Sequence, residues 1–426
     1  MSAWPSPRNG VLRWLRELGT ARGLGLLLVA FLGAMLLVRV LTDDLSAPDS
    51  RHTGSLNLSG VIAVLFMLVA LGLLVRRRHG LLPTVLVALW LCLWTAIAVN
   101  TSGASSETLR EGVREMSVVA LFVVVYNARN AVTVPIATRL VQLAGLAPAL
   151  VALYQLVTFT GTSRPYGTFA HPDSAAMFFA IAATVSLWRY LDDGRKQLDA
   201  LLIALFAAAV VATSSIDGLI TLVAMLTVLG ALRPGSLRVK LGPCVIAGVV
   251  ILAFFATPLG SHRIAKESAT KVEANGEPNS SLAWRLHKWK TLIPEWEQTP
   301  IFGQGLGTTT TALGAPRNLY AGKPPHNEYI RYLVETGVVG LSVLLAALAL
   351  LIRSLLRRRR ILGSVDAGTL NAPSLALTVI AGCLVNSLAD NTLLNSPTCY
   401  AAALIVAAVL ALPAIEAQQA PAGGRC

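Results

Sequence analysis

From Leu24 to Pro413 the chain is a succession of apolar runs separated by short polar segments. A helix needs roughly 20 apolar residues to cross a hydrocarbon core of about 30 Å. Within lipid, backbone polar groups are satisfied only in helices or closed barrels. Runs near 24–41, 58–75, 82–99, 113–127, 134–160, 174–191, 198–213, 217–232, 241–258, 332–353, 373–389 and 398–413 come close to that length. The expectation is an all-α integral membrane protein with about twelve transmembrane helices. Charged residues make up 13% of the chain and hydrophobic ones 54%, against about a quarter charged in a soluble domain. Leu24–Leu41 is too long for the apolar core of a signal peptide, and no A-x-A-like site follows it.

The net charge of +13 invites a nucleic-acid reading, but its distribution points elsewhere. Basic residues gather in short runs beside apolar ones: Arg76–Arg78, Arg195–Lys196 and Arg357–Arg360. Cytoplasmic loops look like this under the positive-inside rule. With the N-terminus inside, the segments 76–79, 128–139, 189–197, 233–240 and 353–363 alternate with acidic or neutral ones such as 42–57 and 100–116. Both termini are then cytoplasmic. Residues 1–23 carry Arg8, Arg13, Arg16 and Arg22 and an apolar face of Val11, Trp14, Leu15 and Leu18, which suits an interfacial amphipathic helix. The expected organisation is that segment, spans 1–9 over 24–258, an exterior loop at 259–331, spans 10–12 over 332–413 and a cytoplasmic tail at 414–426. Five scattered cysteines form no CxxC pair, so neither a disulfide framework nor a metal site is expected.

The exterior loop of some seventy residues is long enough to demand a function. In "SSLAWRLHKWKTLIPEWEQTP", Arg285, Trp289, Leu292 and Trp296 fall on one helical stripe, with Ser280 or Ser281 placed to cap it and Lys288 and Lys290 elsewhere. The following "IFGQGLGTTTT" reads as a tight turn whose backbone approaches an anion, or as a flexible linker. In "GKPPHNEYIRYLVETGVVGL", Pro324 and Pro325 force an extended approach and put His326 at the first turn of the tenth span. The positive end of a helix disfavours imidazolium, which suits a general base; the alternative is a cap, a role that Asn327 fits better. Arg164 and Arg285 are candidates to grip a phosphate, or interfacial anchors. Asp217 stands at the outer start of an apolar span, where ionisable groups tend to be functional or paired. Asp390 and Asn391 read as the end of a span.

On these residues the chain resembles the O-antigen ligase and polymerase superfamily. "PPHNEYIRYLVETGVVGL" is similar to that family's H-N-x-(Y/F)-L-x-x-x-x-E-x-G block, and "RLHKWKTLIPEWEQTPIFGQGLG" to its R…W…P-x-G-x-G-x-G block. "RPYGTFAHPDSAAMFF" resembles a third, looser one. The resemblance implies a GT-C-type fold and metal- and cofactor-independent, inverting transfer of a glycan. The donor would be linked to undecaprenyl pyrophosphate, the acceptor would be a glycan or glycolipid hydroxyl, and the site would face outward from a bacterial cytoplasmic membrane. His326 would be the base, with Arg285 and Arg164 on the pyrophosphate. Asn327, Glu328, Asp217, Arg263, Lys266 and His171 would support them. One departure is visible: "TSSIDGL" has Ile216 where the family often carries an arginine, leaving Arg164, Arg263 or Lys266 as substitutes, or another donor. A polymerase of lipid-linked repeats and a protein O-oligosaccharyltransferase share these signals. A secondary transporter or flippase is the alternative of another class, but internal repeats and mid-span ionisable residues, which transporters show, are not evident.

Overall fold

A computed structural model describes residues 21–43, 58–76, 94–97, 106–159, 163–192, 196–233, 236–268, 280–311, 324–363 and 371–412. The N-terminal segment 1–20, most of the run at 82–99 and the tail from 413 onward lie outside the described residues.

Among the described residues the secondary structure is helical throughout. In chain order the helices are α1 (Ala21–Leu41), α2 (Leu58–Arg76), α3 (Ser106–Asn127), α4 (Val134–Thr158), α5 (Pro172–Asp192), α6 (Lys196–Ala212) and α7 (Ile216–Leu232). They continue as α8 (Leu237–Ala256), α9 (Pro258–Ser268), α10 (Ser281–Gln298), the single turn α11 (Thr308–Thr311), α12 (Glu328–Gly363), α13 (Asn371–Asn386) and α14 (Ser396–Leu410). A 3-10 turn, Thr392–Leu394, precedes α14. Three stretches are long and apolar enough to cross a membrane on their own: Val134–Thr158, Pro172–Asp192 and Glu328–Ile361. Lys240–Ala256 with Gly260–Ser268, bent by 76°, makes a fourth if the pair is one span. Other apolar helices, such as Ile216–Leu232 and Ser396–Leu410, are shorter. Helices thus occupy the expected runs wherever the chain is described, while length and apolarity alone select fewer than the dozen expected.

The centre of the bundle is α5, buried on every side from Ala175 to Arg189 and packed against α6 and α7. Its run of alanines lets neighbours come close, as small residues do between membrane helices. At Gly218 a Cβ would lie 2.2 Å from that of Ala176, so α7 meets α5 backbone to backbone just below the polar mouth.

The glycine-rich stretch at 303–307 has a structural use that sequence spacing did not reveal. α12 breaks at Gly337 (φ 63°), and the loop after α10 splices into the break. Gln304 and Gly305 donate their backbone N–H groups to the carbonyls of Val334 (2.9 Å) and Glu335 (2.7 Å), while Val338 N donates to Pro300 O (2.9 Å). Trp94 Nε1 closes the joint on Phe302 O at 2.9 Å. A Cβ at Gly303 would fall 2.5 Å from the Glu335 carbonyl carbon, and one at Gly337 2.3 Å from Ile301 O. The expectation of an anion-binding turn or a free linker is therefore corrected: these N–H groups are spent on satisfying the break in α12.

Candidate functional site

α10 forms where its periodicity predicts, and Ser280 Oγ caps it by accepting from Ala283 N at 3.2 Å. It buries Arg285, Leu292 and also Lys288, which is fully enclosed and not off their face as expected; three residues from Arg285 and four from Leu292, it shares their stripe. Trp289 Nε1 donates to Pro325 O (2.7 Å), pinning the two-proline approach to α12 against α10. His326 stands one residue before the cap of α12, not within its first turn. Asn327 is the cap: its Oδ1 accepts from Ile330 N at 3.0 Å, and its Nδ2 donates to Leu388 O at 3.0 Å. His326 takes a left-handed backbone conformation, φ 51°, which turns the chain into the helix.

Strain at His326 is held by the turn between α13 and α14. Its backbone N–H donates to Asn391 Oδ1 (2.6 Å), and its Nδ1 lies 2.8 Å from Asp390 Oδ1. Burial raises the Asp390 carboxyl, but the hydrogen bond and charge of His326 outweigh it and leave the group below the ordinary carboxylate value. In the neutral ring, an ionised Asp390 accepting from Nδ1–H leaves Nε2 with its lone pair free, the tautomer a base needs. Glu328 ties the same turn to α12, since its N–H donates to Ser387 O (2.9 Å) and its Oε2 accepts from Leu393 N (3.2 Å). The imidazole stays 22% exposed and is flanked by the Trp284 ring at 5.8 Å and the His171 ring at 6.2 Å.

His171 leads to the guanidinium groups. Asp173, in the first turn of α5, has its Oδ2 3.4 Å from His171 Nδ1 and its Oδ1 2.5 Å from Arg164 Nη2. Its Oδ1 also accepts from Ser215 Oγ at 2.6 Å, and Arg285 Nη2 lies 3.9 Å from its Oδ2. Arg164 Nε donates to Thr213 O at 3.0 Å. Asp217 binds Arg285 Nη2 at 2.5 Å. Burial disfavours the Arg285 cation, yet the adjoining Asp217 carboxylate more than restores it. Burial lowers His171 below its usual value despite Asp173 and Asp390 nearby. One continuous cluster thus runs from Asp390 through His326, His171 and Asp173 to Arg164, Arg285 and Asp217.

Arg263 and Lys266 stand apart from these contacts. Arg263 Nη2 pairs with Glu267 (2.9 Å), whose carboxylate caps α10 through the N–H groups of Ser281 and Leu282. Lys266 is exposed on α9. Among the described residues no His, Cys, Asp and Glu group of three or more is arranged to hold a metal ion.

A second charged cluster lies one turn deeper in α12, centred on Arg331. Its Nη1 pairs with Glu111 (3.0 Å) and Glu335 (3.2 Å), and its Nη2 with Glu115 (2.8 Å) and with Glu328. Tyr332 OH donates to Glu115 Oε2 at 2.6 Å. Sequence reasoning assigned 100–116 to an exterior loop. Because α3 starts at Ser106, Glu111 and Glu115 are instead buried in a helix. It also passed over Asp173 and Ser215, and took Asp390 for no more than the end of a span. The available signal for Asp390 was a polar break, "DNTLLNSPT", between two apolar runs; nothing local ties it to a histidine 64 residues earlier.

Residues 201–345 match the family model described as O-Antigen ligase, a stretch that holds Asp217, Arg263, Arg285 and His326 but not Arg164, His171 or Asp390. No curated protein matches the chain significantly. Proteins of this family are glycosyltransferase- or ligase-like, and the apolar helices fit a bacterial inner-membrane protein. The match over residues 201–345 is to the O-antigen ligase family, and it supports membership of the O-antigen ligase and polymerase superfamily.

Proposed function

We propose that the chain transfers a glycan from an undecaprenyl-pyrophosphate carrier to an acceptor hydroxyl at the outer face of the bacterial cytoplasmic membrane. In this reading it is an inverting, metal-independent enzyme of GT-C type with about twelve spans and both termini inside. The observation that carries the proposal is the His326–Asp390 pair, 2.8 Å apart, in the same cluster as two guanidinium groups.

The chemistry follows from those positions. The acceptor oxygen attacks the anomeric carbon while His326 Nε2 takes its proton, and Asp390 steadies the imidazolium that forms. The bond from that carbon to the pyrophosphate oxygen breaks, and the electron pair leaves with the pyrophosphate. Arg285 and Arg164 meet the leaving charge; planar guanidinium groups suit phosphate oxygens. A pyrophosphate is already a good leaving group, so positioning, charge and one base suffice. Attack opposite the departing group inverts the anomeric configuration. Ligase and polymerase differ here only in the acceptor.

The test uses the purified full chain in detergent with an undecaprenyl-pyrophosphate-linked glycan and an acceptor, where transport has no compartments to act between. His326→Ala is expected to lower turnover about 10²–10⁴-fold, the usual scale for a general base, with its unfolding temperature unchanged. Turnover near the wild-type level in that variant would remove His326 from the reaction.

A further inference from the structure

Among the described residues only two that are not glycine have positive φ, and both belong to the same cluster: His326 and Ser214, each at 51°. Strain of this kind gathers at functional sites, where the surroundings hold it in place. The reason for His326 is evident from its partners. Ser214 has no such account. Its conformation is one that glycine adopts without penalty, yet a serine stands there. Its hydroxyl is buried, the residue being 1% exposed, and bonds to no group among the described residues. Buried hydroxyls are nearly always paired.

The neighbours of Ser214 on both sides already serve the cluster. Thr213 offers its carbonyl to Arg164 Nε at 3.0 Å, and Ser215 Oγ donates to Asp173 Oδ1 at 2.6 Å. Asp217, two residues further, holds Arg285. Two other buried donors in the cluster lack partners among the described residues: Arg285 Nε, and Asn391 Nδ2 on the side chain that also accepts from His326 N. An alkyl hydroxyl and two N–H donors set among arginines fit anionic oxygens, not a cation or an apolar group.

We propose that Ser214 is a donor-binding residue whose hydroxyl donates to a phosphate oxygen of the lipid-linked substrate, alongside Arg285 and Arg164. The proposal rests on the functional reading above and deepens it at the leaving-group side of the site. Ser214 supplies a neutral donor on the turn before α7, where position 216 offers an isoleucine and no cation.

Ser214→Gly separates this role from a structural one, because it relieves the backbone strain while deleting the hydroxyl. The full chain in detergent is probed with inorganic pyrophosphate as an inhibitor, and its thermal unfolding is recorded in parallel. The expected result is an unfolding temperature equal to or above that of the wild type. The pyrophosphate inhibition constant and the donor KM should both rise roughly tenfold, the scale of one hydrogen bond to a charged group, with kcat nearly unchanged. Ser214→Ala should show the same weakened binding. Wild-type inhibition constants in both variants, or a lowered unfolding temperature in Ser214→Gly, would overturn the proposal. Pyrophosphate binding needs no turnover, so His326→Ala should still bind it as the wild type does. If that variant instead turns over normally, the functional reading fails while the binding result for Ser214 stands separately.

Discussion

Two charged clusters sit within five residues of each other at the start of α12, and they are built on opposite terms. Around Arg331, four glutamates and a tyrosine close over a guanidinium that is 0% exposed, and each of the four carboxylates pairs with it. Around His326 the groups are partly open: the imidazole is 22% exposed, two residues are held at positive φ, and three buried donors lack partners among the described residues. A buried charge is tolerated when it is fully paired, so the Arg331 guanidinium has nothing left to offer a ligand. The second has unspent hydrogen-bonding capacity. Proximity in sequence therefore hides a division of labour: Arg331 ties α3 to α12, and His326 is presented just ahead of the helix so anchored.

The largest expected effect tests the first half of that division. Arg331→Met leaves Glu111, Glu115, Glu328 and Glu335 facing one another without their cation. Removing one partner of a buried pair destabilises by about 3–5 kcal/mol. The expected outcome is loss of monodisperse protein on size exclusion in detergent, not a folded but inactive chain. A variant that kept its thermal transition and lost only turnover would move Arg331 into the reactive site and break the comparison.

The two clusters were unequally legible in the sequence, for a physical reason. Local periodicity and the two prolines located α10, Arg285 and the approach to His326, because those features are set by residues three or four apart. Helix positions followed from apolar runs. The Arg331 cluster escaped because Glu111 and Glu115 depress the local hydropathy, so the start of α3 looks like a loop until a cation from another helix pairs with them. Asp390 escaped because its partner is brought to it only by packing of the α13–α14 turn against α12. The glycines at 303–307 were visible as glycines, but what they approach is a break at Gly337, which sequence spacing alone does not connect to them.

Asp390→Asn sharpens the second half of the comparison, with a smaller effect than Arg331→Met. Asparagine keeps the size and one acceptor oxygen but not the charge that stabilises an imidazolium or selects the Nδ1–H tautomer. The unfolding temperature should stay within a few degrees of the wild type, since the Asn391 and Glu328 contacts hold the turn independently. Turnover should fall about 10²-fold, on the scale of general-base effects, with donor KM little changed. A fall in stability without a change in turnover would make the Asp390–His326 contact a packing feature.

The smallest effect concerns Arg263, which lies between the two kinds of behaviour. It is paired with Glu267 at 2.9 Å, yet burial and the positive charges of Arg164 and Arg285 lower its pKa below the usual value. Its charge is therefore felt in the mouth although no hydrogen bond joins it to the cluster's carboxylates. Arg263→Gln should raise the donor KM only about two- to fivefold at low ionic strength, and the difference should shrink as salt approaches about 0.5 M, because a field contribution is screened where a direct contact is not. Glu267 still caps α10 in that variant, so Arg285 keeps its place. A loss above about tenfold that persisted in salt would mean that Arg263 touches the phosphate itself and belongs with Arg164 and Arg285. Screening is thus the measurement that tells a contributor to the field from a ligand.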